Sequence, residues 1–201
     1  GGGASGIATA IFSKRICMEN SVTVFERSDR VLKKLLATGN GRCNLSNTNI
    51  SPENYFSRNP EMLSPILSAF TPDDERQFFE SLGIMLCEEN GRIYPYSRRA
   101  NAVSDALRFE CEHLGIKIRT GSFIKSIEKR GNYFSVLGET FDKVVISSGG
   151  MSAPSFGTDG NAFNLIKEFG HNITPVCYAL SPVKVQEKVT KLKGIRAHCT
   201  V

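Results

Sequence analysis

Gly1-Gly2-Gly3-Ala4-Ser5-Gly6 opens the chain, and its reading decides the fold. Taken as G-x-G-x-x-G, it is the turn that brings a main chain up against a dinucleotide pyrophosphate. The first glycine (Gly1) permits the tight turn, the second (Gly3) lets backbone approach phosphate, and the third (Gly6) lets helix and sheet pack closely. The amides of Ala4 and Ser5 then join these glycines as candidate phosphate donors. A glycine-rich terminus is also what a loose tail or cloning scar looks like, so the residues that follow decide between the two.

Ile7, Ala8, Ala10, Ile11, Phe12 and Ile16 fall at helical spacing, so a helix is expected to open where the glycines end. Its positive amino end would face the pyrophosphate. Ser21-Val22-Thr23-Val24-Phe25 is β-branched and aromatic, a short buried strand. It runs into Glu26, an acid at about the 20-residue distance at which dinucleotide folds bond a ribose hydroxyl. A solvated carboxylate at a strand end is the alternative for Glu26. Arg27, next along, is a further candidate cofactor contact.

The 201 residues provide for one domain or little more, with a true core. The formal charge of +5 is scattered and mixed in sign, which an acidic cofactor explains as well as nucleic acid would. No nucleic-acid or membrane partner is therefore expected. Six cysteines lack C-x-x-C or zinc-like spacing, and no signal peptide or long apolar run occurs, which points to free thiols, no bound metal and a cytoplasmic setting. A dinucleotide fold needs a strand ahead of its glycine turn. The sequence is accordingly read as a piece of a longer chain, whose absent first strand would sit in the middle of the sheet.

Thr38-Gly39-Asn40-Gly41-Arg42-Cys43-Asn44-Leu45-Ser46-Asn47 is the most distinctive run after the opening one. Two glycines and three asparagines continue neither helix nor strand cheaply, so it forms a loop. Its donors, Arg42 included, suit phosphate and a polar heteroaromatic ring; an ordinary surface turn has the same composition. The glycine turn with Glu26, this T-G-N-G-R-C-N run, Tyr94-Pro95-Tyr96-Ser97 and Ser147-Ser148-Gly149-Gly150 together resemble the bacterial BaiN-like flavoproteins, also described as NAD(P)/FAD-dependent or aminoacetone-oxidase-like oxidoreductases. The resemblance covers nearly the whole chain. It implies that Thr38, Gly39, Asn40, Gly41, Arg42, Cys43 and Asn44 line FAD, that Lys34 lies near its phosphates, and that the chain returns to the dinucleotide at Ser148 and Gly149. It places Phe123 and Ile124 by the adenine through their backbone. Leu32 and Lys33 stand where the family has Gly-Arg, a departure that bears on local loop geometry.

The expected fold is α/β: an FAD-type dinucleotide-binding domain over 1–182 with a parallel sheet, a β-meander and a largely helical excursion at about 48–115. A second, β-rich domain would begin at 183 and be truncated. Within the excursion, Thr71-Pro72-Asp73-Asp74 is a helix start and Asn90-Gly91 a hairpin turn. Phe141 to Ile146 is a continuous apolar run, as in a strand buried on both faces. Asp159 is a helix cap or a flavin contact. His171 follows a helix stop and is a partner for that helix's dipole.

No residue stands out as catalytic. Cys43 has no second cysteine nearby in sequence, which disfavours disulfide chemistry. The expected activity is hydride transfer between a small organic substrate and FAD, with NAD(P)H or oxygen as the other redox partner. An NAD-dependent dehydrogenase and a non-catalytic flavin-binding module are the alternatives; oligomeric state is not readable.

Overall fold

The computed structural model describes residues 1–177 and Gln186. Helix α1 (Ala4–Ile16) buries Ile7, Ala10 and Ile11 on one face, three and four residues apart as 3.6-residue periodicity requires. Strand β1 (Thr23–Phe25) follows with Val24 buried. After the five-residue helix α2 (Lys33–Ala37) and the T-G-N-G turn come the short strand β2 (Ser46–Asn47) and helices α3 (Leu63–Ala69) and α4 (Pro72–Ser81). Thr71 starts α4 with a capping box: its hydroxyl accepts the Asp74 amide, and the Asp74 carboxylate accepts the Thr71 amide at 2.8 Å.

Strands β3 (Leu86–Glu89) and β4 (Arg92–Pro95) form the expected hairpin, with Asn90 at φ +52° and Gly91 at +77°, as a two-residue primed turn demands. β2 adds to the other side of β4, giving an antiparallel sheet in the order β2-β4-β3. Helix α5 (Ala100–His113) then crosses back over α1, burying Val103, Leu107 and Cys111 at four-residue spacing. It delivers β5 (Lys117–Arg119) parallel to β1, in the register Val24 opposite Ile118. This strand–helix–strand crossover is the unit that makes the domain a dinucleotide-type fold.

β6 (Glu128–Arg130), β7 (Tyr133–Val136) and β8 (Glu139–Phe141) form the expected meander, and α6 (Ala162–Glu168) closes the described part. Two apolar cores result. One joins α1, α2, α4 and α5, with the Phe12 and Phe78 rings stacked at 4.9 Å. The other gathers Ile127, Val136, Ala162 and Leu165 with Phe25 and Ile124 around the meander and α6.

The structure departs from the sequence reading at one informative place. Phe141 to Ile146 has the composition of a central strand, but only Phe141 is in a ladder, and Val145 is 61 % exposed. A ladder takes two chains, and beside 142–148 there is open cavity rather than a neighbouring strand. The expected second domain from 183 falls, Gln186 apart, outside the described residues.

Candidate functional site

The three pattern glycines differ in their surroundings. A Cβ on Gly6 would overlap the Gly1 carbonyl oxygen and lie 2.5 Å from the Ser147 Oγ; one on Gly1 would lie 2.7 Å from the Ser147 carbonyl oxygen. These two positions therefore need glycine for the protein's own packing. Around Gly3 nothing lies within 4 Å of a Cβ position. The close approach that Gly3 allows is thus not made by any described residue of the chain.

Gly3 is also the N-cap of α1, with no side-chain cap and no acid in the first turn. The first helical bond runs from the Ile7 amide to the Gly3 carbonyl at 3.0 Å, so the amides of Ala4, Ser5 and Gly6 have no acceptor among the described residues. Three free amides at the positive end of a 13-residue helix are suited to an anion.

Glu26 sits beside this turn. Its carboxylate accepts the Gly2 amide at 2.8 Å and the Ser28 amide at 2.7 Å. Burial pushes the Glu26 carboxyl up, but the amides of Ser28 and Gly2 outweigh it, and the group ends below its ordinary value. A carboxylate offers about four acceptor sites, so two remain for hydroxyl donors. The Gly2 carbonyl in turn accepts the Leu32 amide at 2.8 Å, which staples the root of α2 to the glycine turn. Sequence reasoning missed Gly2, an x position of G-x-G-x-x-G, and Ser28, which lies outside that pattern two residues after Glu26.

Leu32 explains what the departure from the family's Gly-Arg does. It takes φ +61°, the left-handed region that favours glycine, and its side chain is 1 % exposed in the first core. The loop thus keeps a glycine-like backbone and gains a buried leucine.

α2 spans roughly 7.5 Å at 1.5 Å per residue and carries the chain directly into the T-G-N-G run. There Gly39, Asn40, Gly41 and Cys43 all have positive φ, which is why glycine and asparagine occur together here. Arg42 is held rather than free. Its Nη1 meets Glu89 at 3.0 Å, its Nε reaches the Gly39 carbonyl at 3.4 Å, and its guanidinium lies 4.5 Å from the centre of the buried Tyr94 ring. Arg98, at φ +55°, also pairs with Glu89 and lies 5.3 Å from the same ring. Together they tie the loop to the β3–β4 hairpin. Burial raises the Cys43 thiol above its ordinary value, with the Thr38 hydroxyl opposing and Glu75 adding to the rise, so it is a protonated, 2 % exposed side chain.

The 148–161 segment closes back on this region. Ser147 Oγ donates to the Gly1 carbonyl at 3.0 Å, Lys34 Nζ to the Ser152 carbonyl and the Thr158 hydroxyl at 2.8 Å each, and Arg27 to both Asp159 oxygens at 2.9 Å. Asp159 also accepts the Asn161 amide at 3.2 Å, a local turn ahead of α6, whose N-cap is Asn161 with no side-chain cap, while Arg27 holds the Asp159 carboxyl below the ordinary range.

One cavity is lined by Gly1, Gly6, Glu26, Arg27, Ile124 and Ser148. Gly3, Ala4, Ser5, Lys34, Gly149 and the loop residues Thr38, Gly39, Asn40, Gly41, Arg42, Cys43 and Asn44 do not line it. The loop is linked to the turn instead through Leu32 and α2. Among the described residues no helix is long and apolar enough to cross a membrane, and no three metal-binding side chains cluster.

Comparison with known proteins gives consistent relatives. The family model described as "HI0933-like protein Rossmann domain" matches residues 1–196. The chain is 35 % identical over 206 residues to a 3-dehydro-bile acid delta(4,6)-reductase of Clostridium scindens, covering all of this chain and 50 % of that protein. It is 27 % identical over 213 residues to a ribosomal RNA dihydrouridine synthase of Haemophilus influenzae, again over all of this chain and 52 % of the relative. A protein of the same name from Escherichia coli is 28 % identical over 87 % of this chain and 46 % of its own length. The chain thus spans about half the length of the curated relatives it matches. Among solved structures, Thermovibrio ammonificans THI4 superposes with a TM-score of 0.41 at 14 % identity over 68 % of this chain and 43 % of that one, too slight a likeness to bear on function. With the family match extending over nearly every residue, the chain belongs to the HI0933-like Rossmann-domain family.

Proposed function

We propose that this chain is the FAD-binding part of a flavin-dependent oxidoreductase that moves a hydride between a small organic substrate and the flavin, with NAD(P)H as a donor. The observation that carries this reading is the contrast among the glycines: Gly1 and Gly6 are packed against the protein, while nothing lies within 4 Å of a Gly3 Cβ and the amides of Ala4, Ser5 and Gly6 have no acceptor among the described residues. That is a cradle for a pyrophosphate.

FAD, when bound, supplies the hydride-accepting ring, and the chain supplies position and electrostatics. The amides of Ala4, Ser5 and Gly6 would hold its pyrophosphate. Glu26 keeps two acceptor sites for ribose hydroxyls and repels a 2′-phosphate, which favours FAD or NAD over NADP at this site. Ile124 and Ser148 would lie toward the adenosine, and the 38–44 loop, held by Arg42 against Tyr94, toward the flavin ring. Lys34 and Arg27 hold the 152–161 segment against the glycine-turn side of the chain. No acid or base is assigned.

The relatives' names divide over substrate, one naming a bile acid and two naming ribosomal RNA. The relative at 35 % identity supports a small molecule, as does the alternation of charge sign along this chain. The experiment is the visible spectrum of the purified protein, followed by anaerobic addition of NADH and NADPH. A yellow protein bleached by either supports the reading; a spectrum that stays flat after added FAD overturns it. Glu26→Ala should weaken FAD more than flavin mononucleotide, which has no adenosine ribose. Equal losses would remove Glu26 from the site.

A further inference from the structure

Arg98 holds its backbone in the left-handed region, at φ +55°, two residues ahead of α5. Glycine takes that conformation without strain and arginine does not. The turn from Pro95 to Arg98, closed by the Arg98 amide on the Pro95 carbonyl at 2.8 Å, brings the guanidinium back to 5.3 Å from the Tyr94 ring centre. Local strain of this kind is retained where a side chain has a task.

The fold uses little of what Arg98 offers. Of its five N–H donors, one is bonded among the described residues, from Nη1 to Glu89, and 39 % of the side chain is exposed. Arg42 differs, because its Nη1, Nη2 and Nε go to Glu89, the Tyr94 hydroxyl and the Gly39 carbonyl. Glu89 answers both arginines with the same oxygen, Oε2. Arg92, opposite Glu89 in the register, stands on the same face, so cations outnumber carboxylates there.

Beside these charges the face turns apolar. The β3–β4 ladder continues one pair further, from the Tyr96 amide to the Met85 carbonyl at 2.7 Å. Two-residue alternation returns that pair to the face that carries Tyr94 and Glu89. Met85 is 72 % exposed and Tyr96 67 %. A planar guanidinium fork with donors to spare, next to two uncovered apolar side chains, matches a carboxylate on an apolar body.

We propose that Arg98 anchors the carboxylate of an organic-acid substrate whose apolar body lies on Met85 and Tyr96. The substrate role rests on the reading that the 38–44 loop, which Arg42 joins to this face, lies toward the flavin. To test it, binding of 2-naphthoate and of its neutral isostere 2-naphthamide is measured by calorimetry at low salt, with and without FAD. The parent should take the acid at least about fivefold more tightly than the amide. Arg98→Gln should abolish that preference. Glu89→Gln, which removes the competing carboxylate, should raise it about two- to fivefold. An arginine that served packing alone would not move the two variants in opposite directions. Should Arg98→Gln fail to fold by circular dichroism, the Glu89→Gln arm decides. Acid preference in a protein that takes no FAD would support the anchor and overturn the flavin reading. Equal affinity for acid and amide, no binding of naphthoate, or an unchanged preference in either folded variant would overturn the proposal. So would displacement of naphthoate by inorganic phosphate more readily than by acetate.

Discussion

Replacing Gly6 by alanine sets two opposed effects against each other at a single methyl group. Alanine in a helix is favoured over glycine by about 1 kcal/mol. Against this, the new Cβ overlaps the Gly1 carbonyl oxygen and comes within 2.5 Å of the Ser147 Oγ. Neither neighbour is the loose end of a flexible chain, because that hydroxyl is bonded to that carbonyl at 3.0 Å and the adjoining Gly2 amide is fixed on Glu26. Overpacking of this kind costs about 1–3 kcal/mol, and a broken Ser147–Gly1 bond adds about 1 kcal/mol. The balance is a loss of roughly 2 kcal/mol, which lowers the melting temperature by about 4–8 °C in a chain of this size. Thermal unfolding followed by circular dichroism reads it directly. A Gly6→Ala protein as stable as the parent, or more so, would show that helix and turn do not meet as described.

Two further outcomes rest on titrating groups. Glu26 has its carboxyl depressed in the folded protein, so its contribution is complete above its unfolded value, near 4.5, and is lost as pH falls through the lower folded value. Glu26→Gln should cost about 1.5–3 kcal/mol at pH 7, through one amide left facing an NH2 group, and should flatten this acid limb of the stability profile; an unchanged limb counts against the bonds to Gly2 and Ser28. Among the described cysteines, Cys17 and Cys177 are exposed while Cys43 and Cys111 are buried, with burial and the nearby Glu110 pushing Cys111 up to about 11. A thiol reagent at pH 8 should therefore label the first pair and spare the second until the protein unfolds; early labelling of Cys43 would contradict its place in the core.

What the sequence disclosed and what it withheld divide along the range of the interactions. α1, β1 and Glu26 were readable because pattern, period and spacing all lie within one short stretch. The Thr71 cap and the Asn90-Gly91 hairpin were readable for the same reason, being written in adjacent residues. Arg42 was not: its donors suggest phosphate, yet its guanidinium is turned toward Glu89 and Tyr94, partners that lie 47 and 52 positions away. The run from Phe141 carries the composition of a buried strand, but composition does not say whether a neighbour is there to pair with it. Ser147 belongs to the Ser147-Ser148-Gly149-Gly150 run that carries part of the family resemblance. Its hydroxyl bond to Gly1 depends on a contact 146 residues distant, which no local signal announces.

Gly3→Ala tests the central claim most directly, because no described atom lies within 4 Å of where its methyl group would go and its φ of −75° suits alanine. At the N-cap, where glycine is preferred to alanine, the change costs about 0.5–1 kcal/mol, so the fold should be kept. FAD titration of parent and variant, followed by flavin fluorescence, should show affinity falling by at least about tenfold while the melting temperature of the FAD-free protein falls by no more than about 4 °C, the signature of a methyl group placed where a phosphate belongs. Equal FAD affinity in the two proteins would contradict the glycine turn as the pyrophosphate site.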